Sequence, residues 1–213
     1  GRVHPKLPQE VGIDVSVFTR DGIERVMRYA FELALTRPKK QLTLVTKSNA
    51  QRHGMVLWDE VFEKLKHDYP GITTDRMLVD AITTRMVLQP QSLDTIVATN
   101  LHADILSDLA AALSGSLGIG PTANINPERT FPSMFEPIHG SAFDLVGKDL
   151  ANPLGAFWSC VMMLEHLQEK KGASLLMSAI EEVCREGRHL PKDLGGNSST
   201  GEVTTAVCVA LRK

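Results

Sequence analysis

The chain reads as an α/β protein, and three features say so. Short apolar runs (QLTLVT at Gln41 to Thr46, MLV at Met77 to Val79, DTIVAT at Asp94 to Thr99) alternate with segments of helical periodicity, the pattern of a parallel sheet with crossover helices. Each run is closed by Gly, Pro or a polar residue. With 213 residues and 43% hydrophobic content, the chain can bury one large core or two small ones.

In order, Gly1 to Gly12 carries Pro5, Pro8 and scattered charges, as an arm or terminus does, and DVSVF at Asp14 to Phe18 reads as a short strand. A helix starts at Thr19, with Ile23, Val26, Met27, Ala30, Phe31 and Ala34 on its apolar side, and ends at Arg37-Pro38. After the strand at Gln41 to Thr46 come Lys47-Ser48-Asn49. Val56, Trp58, Val61, Phe62 and Leu65 mark the next helix, which stops at Tyr69-Pro70-Gly71. The strand at Met77 to Val79 is closed by Asp80, a helix spans Ala81 to Leu88, and Gln89-Pro90 precedes the third strand. Chemistry in such sheets gathers at the carboxyl ends of strands, where Lys47, Asp80 and Asn100 fall.

TNLHADILSDLAAALSGSLGIG, Thr99 to Gly120, predicts a helix with apolar Ile105, Leu106, Leu109, Ala112 and Leu113, stopped by Gly115, Gly118, Gly120 and Pro121. Asp104 and Asp108 lie four apart, which puts them on one helix face with Cβ atoms about 5–6 Å apart, close enough to share a hard cation. They equally suit a dipole-complementing and a solvated position. Turn residues dominate from Pro121 to Pro132, Met134 to Asp144 combines a short apolar stretch with a loop, and helices follow from Asn152-Pro153, over Ala173 to Arg185 and over Val203 to Leu211. In the first of these, Phe157, Trp158, Val161, Met162 and Leu164 mark the apolar side, and the Met pair fills core. The texture changes near Ser114-Gly115, the expected boundary.

A balance of 23 Lys and Arg against 25 Asp and Glu leaves no polycationic surface for nucleic acid or anionic lipid. No run approaches a membrane span. Cys160, Cys184 and Cys208 are widely spaced in apolar helical patterns and read as buried thiols in a reducing compartment such as the cytoplasm. The chain begins with Gly1, as a processed chain or a fragment does.

Four features carry chemistry. Lys47, following an apolar strand, has the setting of a partly desolvated general base or acid, and equally that of an ordinary strand-end lysine. Asp80, Asp104 and Asp108 lie at or just beyond strand ends without Cys or His at ligand spacing, a set suited to Mg²⁺ or Mn²⁺ rather than Zn²⁺; Asp80 alone would serve as a helix cap. His139-Gly140-Ser141-Ala142 offers a small-residue turn for a phosphate or adenosine. Asp144, close behind, supplies the acidic group that accepts NAD and refuses NADP.

Together, TKSN at Thr46 to Asn49, VDA at Val79 to Ala81, TNLHADILSD at Thr99 to Asp108, FEPIHGSAFD at Phe135 to Asp144, GKDLANP at Gly147 to Pro153 and DLGG at Asp193 to Gly196 resemble the β-decarboxylating dehydrogenases. This is the isocitrate and isopropylmalate dehydrogenase family, and the likeness is strongest to its tartrate and D-malate branch.

The resemblance implies a two-domain α/β sandwich: an intersubunit arm over 1–19, a dimerisation and catalytic domain over 20–114, and the C-terminal half of a cofactor domain over 115–213, with an apolar sheet face left uncovered. It implies a homodimer with shared active sites. Asp104 and Asp108 would hold Mn²⁺ or Mg²⁺ with Asp80 of the second copy. Lys47 would transfer a proton across the interface, and Asn49 would meet the nicotinamide. Glu136, His139, Gly140, Ser141, Ala142, Asp144 and Asn152 would form the NAD loop, with Phe143 standing where most relatives have Pro. The implied reaction is oxidation, with or without decarboxylation, of a 2-hydroxy dicarboxylic acid such as tartrate or D-malate. The alternatives are isopropylmalate as substrate, or a truncated or regulatory non-catalytic subunit. The family's substrate-binding arginines and tyrosine would lie upstream of Gly1, so 1–213 alone is expected to be inactive.

Overall fold

The computed structural model describes residues 1–213. By its internal contacts the chain divides into two compact units, Gly1–Ile105 and Leu106–Lys213. The division falls inside a helix rather than at the change of texture near Ser114-Gly115. No helix is long and apolar enough to cross a membrane.

In the first unit, β1 (Arg2–Val3) and β2 (Val11–Gly12) form a two-residue antiparallel ribbon. The expected strand at Asp14 to Phe18 does not form: residues 13–19 join none of the sheets. Val15 and Val17 are 79% and 81% exposed; Phe18 instead sets its ring edge-on against Trp58, 6.1 Å between centroids.

Helix α1 (Arg20–Thr36) starts where the Thr19 hydroxyl accepts the Gly22 N–H at 3.2 Å and ends before Pro38, which disfavours helical backbone at Arg37. Strand β3 (Gln41–Thr46) is the centre of a parallel sheet ordered β4-β3-β5, with β4 spanning Thr73–Leu78 and β5 spanning Thr95–Val97. Helix α2 (Gly54–Leu65) joins α1 over one face, where Ile23, Met27, Phe31, Leu42, Leu44 and Phe62 are buried. Phe31 stacks on Phe62 and Tyr69 at 5.4 and 4.7 Å, geometry worth more than area burial alone. Val26, expected on the apolar side, is exposed. Helix α3 (Val79–Leu88) packs on β4 and β3 and buries Ile82 and Met86.

The second strand differs from its reading. It begins at Thr73, and Val79 is already helical, which places Asp80 in the first turn of α3. The polar residues that hid this strand are those of a sheet edge, paired sideways: Asp75 with Arg85 at 2.5 Å and Arg76 with Asp59 at 2.9 Å. Helix α4 (Asn100–Leu113) follows β5.

The second unit is built on an antiparallel hairpin, β6 (Pro121–Asn124) and β7 (Met134–Pro137), covered by α5 (Leu154–His166). β6 lies in a segment that reads as turns, because a two-stranded ribbon needs no apolar run. No residue of either strand is fully buried. Helices α6 (Lys170–Glu186) and α7 (Thr200–Ala210) complete a core of Leu154, Val161, Ile180, Val183, Val203 and Val207. α7 opens with a capping box between Ser199 and Glu202. The three cysteines are exposed, not buried, and Met163 is exposed while Met162 is half-buried: these side chains fall on the solvent side of their helices.

Candidate active site

In the first unit the parallel register levels Thr46 with Leu78 and Leu44 with Val97, so β3, β4 and β5 end at one edge. Lys47 leaves β3 there, half-buried, and its carbonyl accepts the N–H groups of Ala50 and Gln51 at 2.9 Å, fixing the turn that carries Asn49. Lys47 Nζ donates to Asp80 Oδ1 within the same chain. That hydrogen-bonded ammonium holds the Asp80 carboxyl below its ordinary pKa, with the Asp80 backbone N–H adding to the effect. The sequence brought both residues to strand ends; their mutual pairing followed only from the fold.

His102, in the first turn of α4, was not singled out from the sequence. Its residue is 8% exposed, its backbone N–H reaches Thr99 Oγ1 at 3.4 Å, and its Nδ1 is buried without a partner. Burial, and secondarily the charge of Lys47, push its pKa below the ordinary histidine value. A lone histidine on a helix carries no motif, so only proximity reveals it.

Asp104 and Asp108 stand one turn apart on α4, both on exposed residues. Within one chain no three His, Cys, Asp or Glu side chains gather as a metal cluster, and Asp80 is engaged with Lys47. Two neighbouring carboxylates are the oxygen donors that Mg²⁺ or Mn²⁺ takes through one or two protein ligands, so the pair fits such an ion.

In the second unit, a cavity of about 790 Å³ is walled by His139, Ala142, Leu145, Asn152 and Asp193 together with the turn Ser116 to Gly118, a size suited to a nucleoside-containing ligand. One hydrogen-bonded knot shapes it. Asp193 Oδ2 accepts from the Ser116 hydroxyl and from Asn152 Nδ2 at 2.8 Å, Ser116 Oγ accepts the Gly118 N–H at 2.8 Å, and Asn152 Oδ1 accepts the Leu154 N–H at 2.9 Å. A Cβ on Gly118 would lie 2.5 Å from Asp193 Oδ2, so only glycine fits there. Asn152 spends its side chain on the protein and offers a ligand only its place in the wall. Asp193 and Ser116 are additions to the sequence-derived set; DLGG contributed to the resemblance, but nothing in its spacing tied it to Ser116.

The remaining predicted residues are spread over the same unit. Ser141 lines a second cavity of about 430 Å³. Gly140 and Ala142 adopt left-handed backbone, φ 66° and 40°, and turn the chain into Phe143–Leu145, where Asp144 is exposed. Glu136 is exposed on β7, opposite Thr122. Asp144 lines neither cavity, so what the geometry offers a nucleoside is the room of the larger cavity and the glycine turns around it.

The chain belongs to the isocitrate/isopropylmalate dehydrogenase family, whose profile matches residues 2–207. Among curated proteins it is 64% identical over 211 residues to a probable tartrate dehydrogenase/decarboxylase of Agrobacterium vitis, covering 99% of this chain and 59% of that protein. It is 47% identical to the D-malate dehydrogenase [decarboxylating] of Escherichia coli, covering 98% of this chain and again 59% of that protein. The isocitrate dehydrogenase of Methylococcus capsulatus has the same fold, with a TM-score of 0.89 at 40% identity over 93% of this chain and 58% of that one. The chain thus spans about 59% of the length of the curated relatives it matches.

Proposed function

We propose that this chain carries the proton-transfer and cofactor-loop residues of an NAD- and Mn²⁺/Mg²⁺-dependent dehydrogenase that oxidises a 2-hydroxy dicarboxylic acid such as tartrate or D-malate, with or without loss of carbon dioxide. The observation that carries the reading is the Lys47–Asp80 pair at the carboxyl edge of the sheet: a cation positioned by a carboxylate where two βα connections meet. The likeness to tartrate and D-malate dehydrogenases supports the choice of substrate class.

In its neutral form Lys47 Nζ would take the proton of the substrate hydroxyl, and the ammonium so formed, held in place by Asp80, could later return it. Asp104 and Asp108, joined by Asp80 of a second copy, would hold the divalent ion, which supplies Lewis-acid polarisation of the hydroxyl and its neighbouring carboxylate. Asp144 would receive the adenosine ribose hydroxyls and repel a 2′-phosphate; NAD would supply the hydride acceptor. Asn49 would face the nicotinamide. The second copy is supported by exposed apolar side chains on the first unit: Leu101 and Ile105 on α4, Val87 and Leu88 on α3.

Cofactor choice is the accessible test. Calorimetry on the native protein should give tighter binding of NAD than of NADP, and Asp144→Lys should reverse the order. Equal or tighter NADP binding by the unaltered protein would overturn the assignment.

A further inference from the structure

We infer that Asp149 is the positioning residue of the cofactor loop, clamping residues 139–151 onto the start of α7. The inference rests on the proposed cofactor assignment, and the loop itself shows why a clamp is needed.

Residues 139–151 separate the cavity of about 790 Å³ from that of about 430 Å³; His139, Ala142, Leu145, Leu150 and Ala151 line both. A segment with space on two sides draws little support from packing. Its large apolar side chains confirm this, since Phe143, Val146 and Leu150 are all exposed. Its backbone is bent besides, with Gly140, Ala142, Gly147 and Asp149 all left-handed. Ala142 and Asp149 hold that conformation without the freedom of glycine.

The hydrogen bonds that tie the far end of the loop all run to α7. The Asp149 carbonyl accepts the Thr200 N–H at 3.0 Å, Asp149 Oδ1 accepts the Gly201 N–H at 3.1 Å, and the Ala151 carbonyl accepts the Thr200 hydroxyl at 2.6 Å. Helix α7 already has a capping box that satisfies the Glu202 N–H through Ser199. Asp149 therefore takes donors the box leaves over, and in doing so converts a helix terminus into an anchor. An aspartate suits both demands. It tolerates φ 54° better than most side chains, and its short carboxylate reaches the first turn. Asp144, five positions upstream on the same loop, is thereby held at a fixed place.

The test uses Asp149→Asn, which keeps the acceptor and the left-handed tolerance, Asp149→Gly, which keeps the backbone but loses the acceptor, and Asp149→Ala, which loses both. Hydrogen exchange by mass spectrometry on the native protein should show Asp149→Gly and Asp149→Ala exchanging about fivefold faster in 140–151 and the first turn of α7, the scale of a lost cap. Exchange in α5 and in the body of α6 should stay at the unaltered rate. Adenosine diphosphate ribose, the half of NAD this loop would hold, should bind about fivefold more weakly to both variants, and Asp149→Asn should restore exchange and affinity to within twofold. Exchange that rises equally in α5 and α6, an unaltered loop in Asp149→Gly, or unaltered affinity despite a loosened loop would each overturn the clamp. If the unaltered protein does not bind the probe, the cofactor assignment falls and takes the positioning role with it. The exchange pattern would then show separately whether Asp149 tethers the loop.

Discussion

Gly155 sets a helix-propensity gain against a steric cost, and the distances decide between them. In the interior of a helix, Gly→Ala gains at most about 1 kcal/mol. At Gly155, the second residue of α5, the added Cβ would lie 2.8 Å from the Gly118 carbonyl oxygen, 3.2 Å from Pro137 Cβ and 3.4 Å from the Gly120 carbonyl oxygen. Two of the three obstacles are backbone, so no side chain can swing aside. Relief requires α5 to move off the turn that carries Gly118, and that turn is tied through Ser116 and Asp193 to Asn152. Overpacking of this kind costs about 1–3 kcal/mol. Gly155→Ala should therefore destabilise the second unit by a net of about 1–2 kcal/mol, the propensity gain notwithstanding. Urea unfolding followed by Trp158 fluorescence in a Trp58→Phe background reports on this unit alone, since those are the two tryptophans of the chain. A variant as stable as the parent, or more stable, would refute the close-packing argument.

Three further outcomes follow from the first unit and α4. His102 has a folded pKa below its unfolded value, so the unfolded state binds more protons and stability falls as pH drops through the unfolded value of about 6.5, levelling off below the folded pKa; His102→Gln should flatten that part of the stability-against-pH curve, and an unchanged slope would assign it to other groups. Asp108→Asn should weaken Mn²⁺ binding at least tenfold by calorimetry while leaving the apo fold no less stable, because one charge is removed from a carboxylate pair; undiminished affinity would place the ion elsewhere. For the proposed homodimer, Ile105→Glu should shift sedimentation toward monomer by putting a charge into an apolar surface, and an unchanged sedimentation coefficient would remove α4 from the proposed interface.

Local rules carried much of this fold. Strand β3 is bounded in the structure where its apolar run is bounded, and α1 begins and ends at its Thr19 cap and Arg37-Pro38 stop. Where the reading failed, a neighbour was responsible. DVSVF has strand residues but joins no sheet, its Phe18 packing on Trp58 instead, and β4 hides an edge behind Thr73, Thr74, Asp75 and Arg76, whose charges are paired laterally. β6 needs only a hairpin partner and so carries no apolar signature. The site followed the same division. Lys47, Asp80, Asp104 and Asp108 stood out as charges beside apolar runs. His102 and Asp193 became visible only through what the fold sets against them: a lysine in one case, a serine and an asparagine from distant segments in the other.

The exposed thiols have a practical use. Cys160, Cys184 and Cys208 sit one each on α5, α6 and α7, and the first unit contains no cysteine at all. A maleimide fluorophore or spin label will therefore attach only to the second unit of the native sequence. Removing two cysteines leaves one reporter on a chosen helix, so events around the Asp144 loop can be watched while the half bearing Lys47 stays spectroscopically silent.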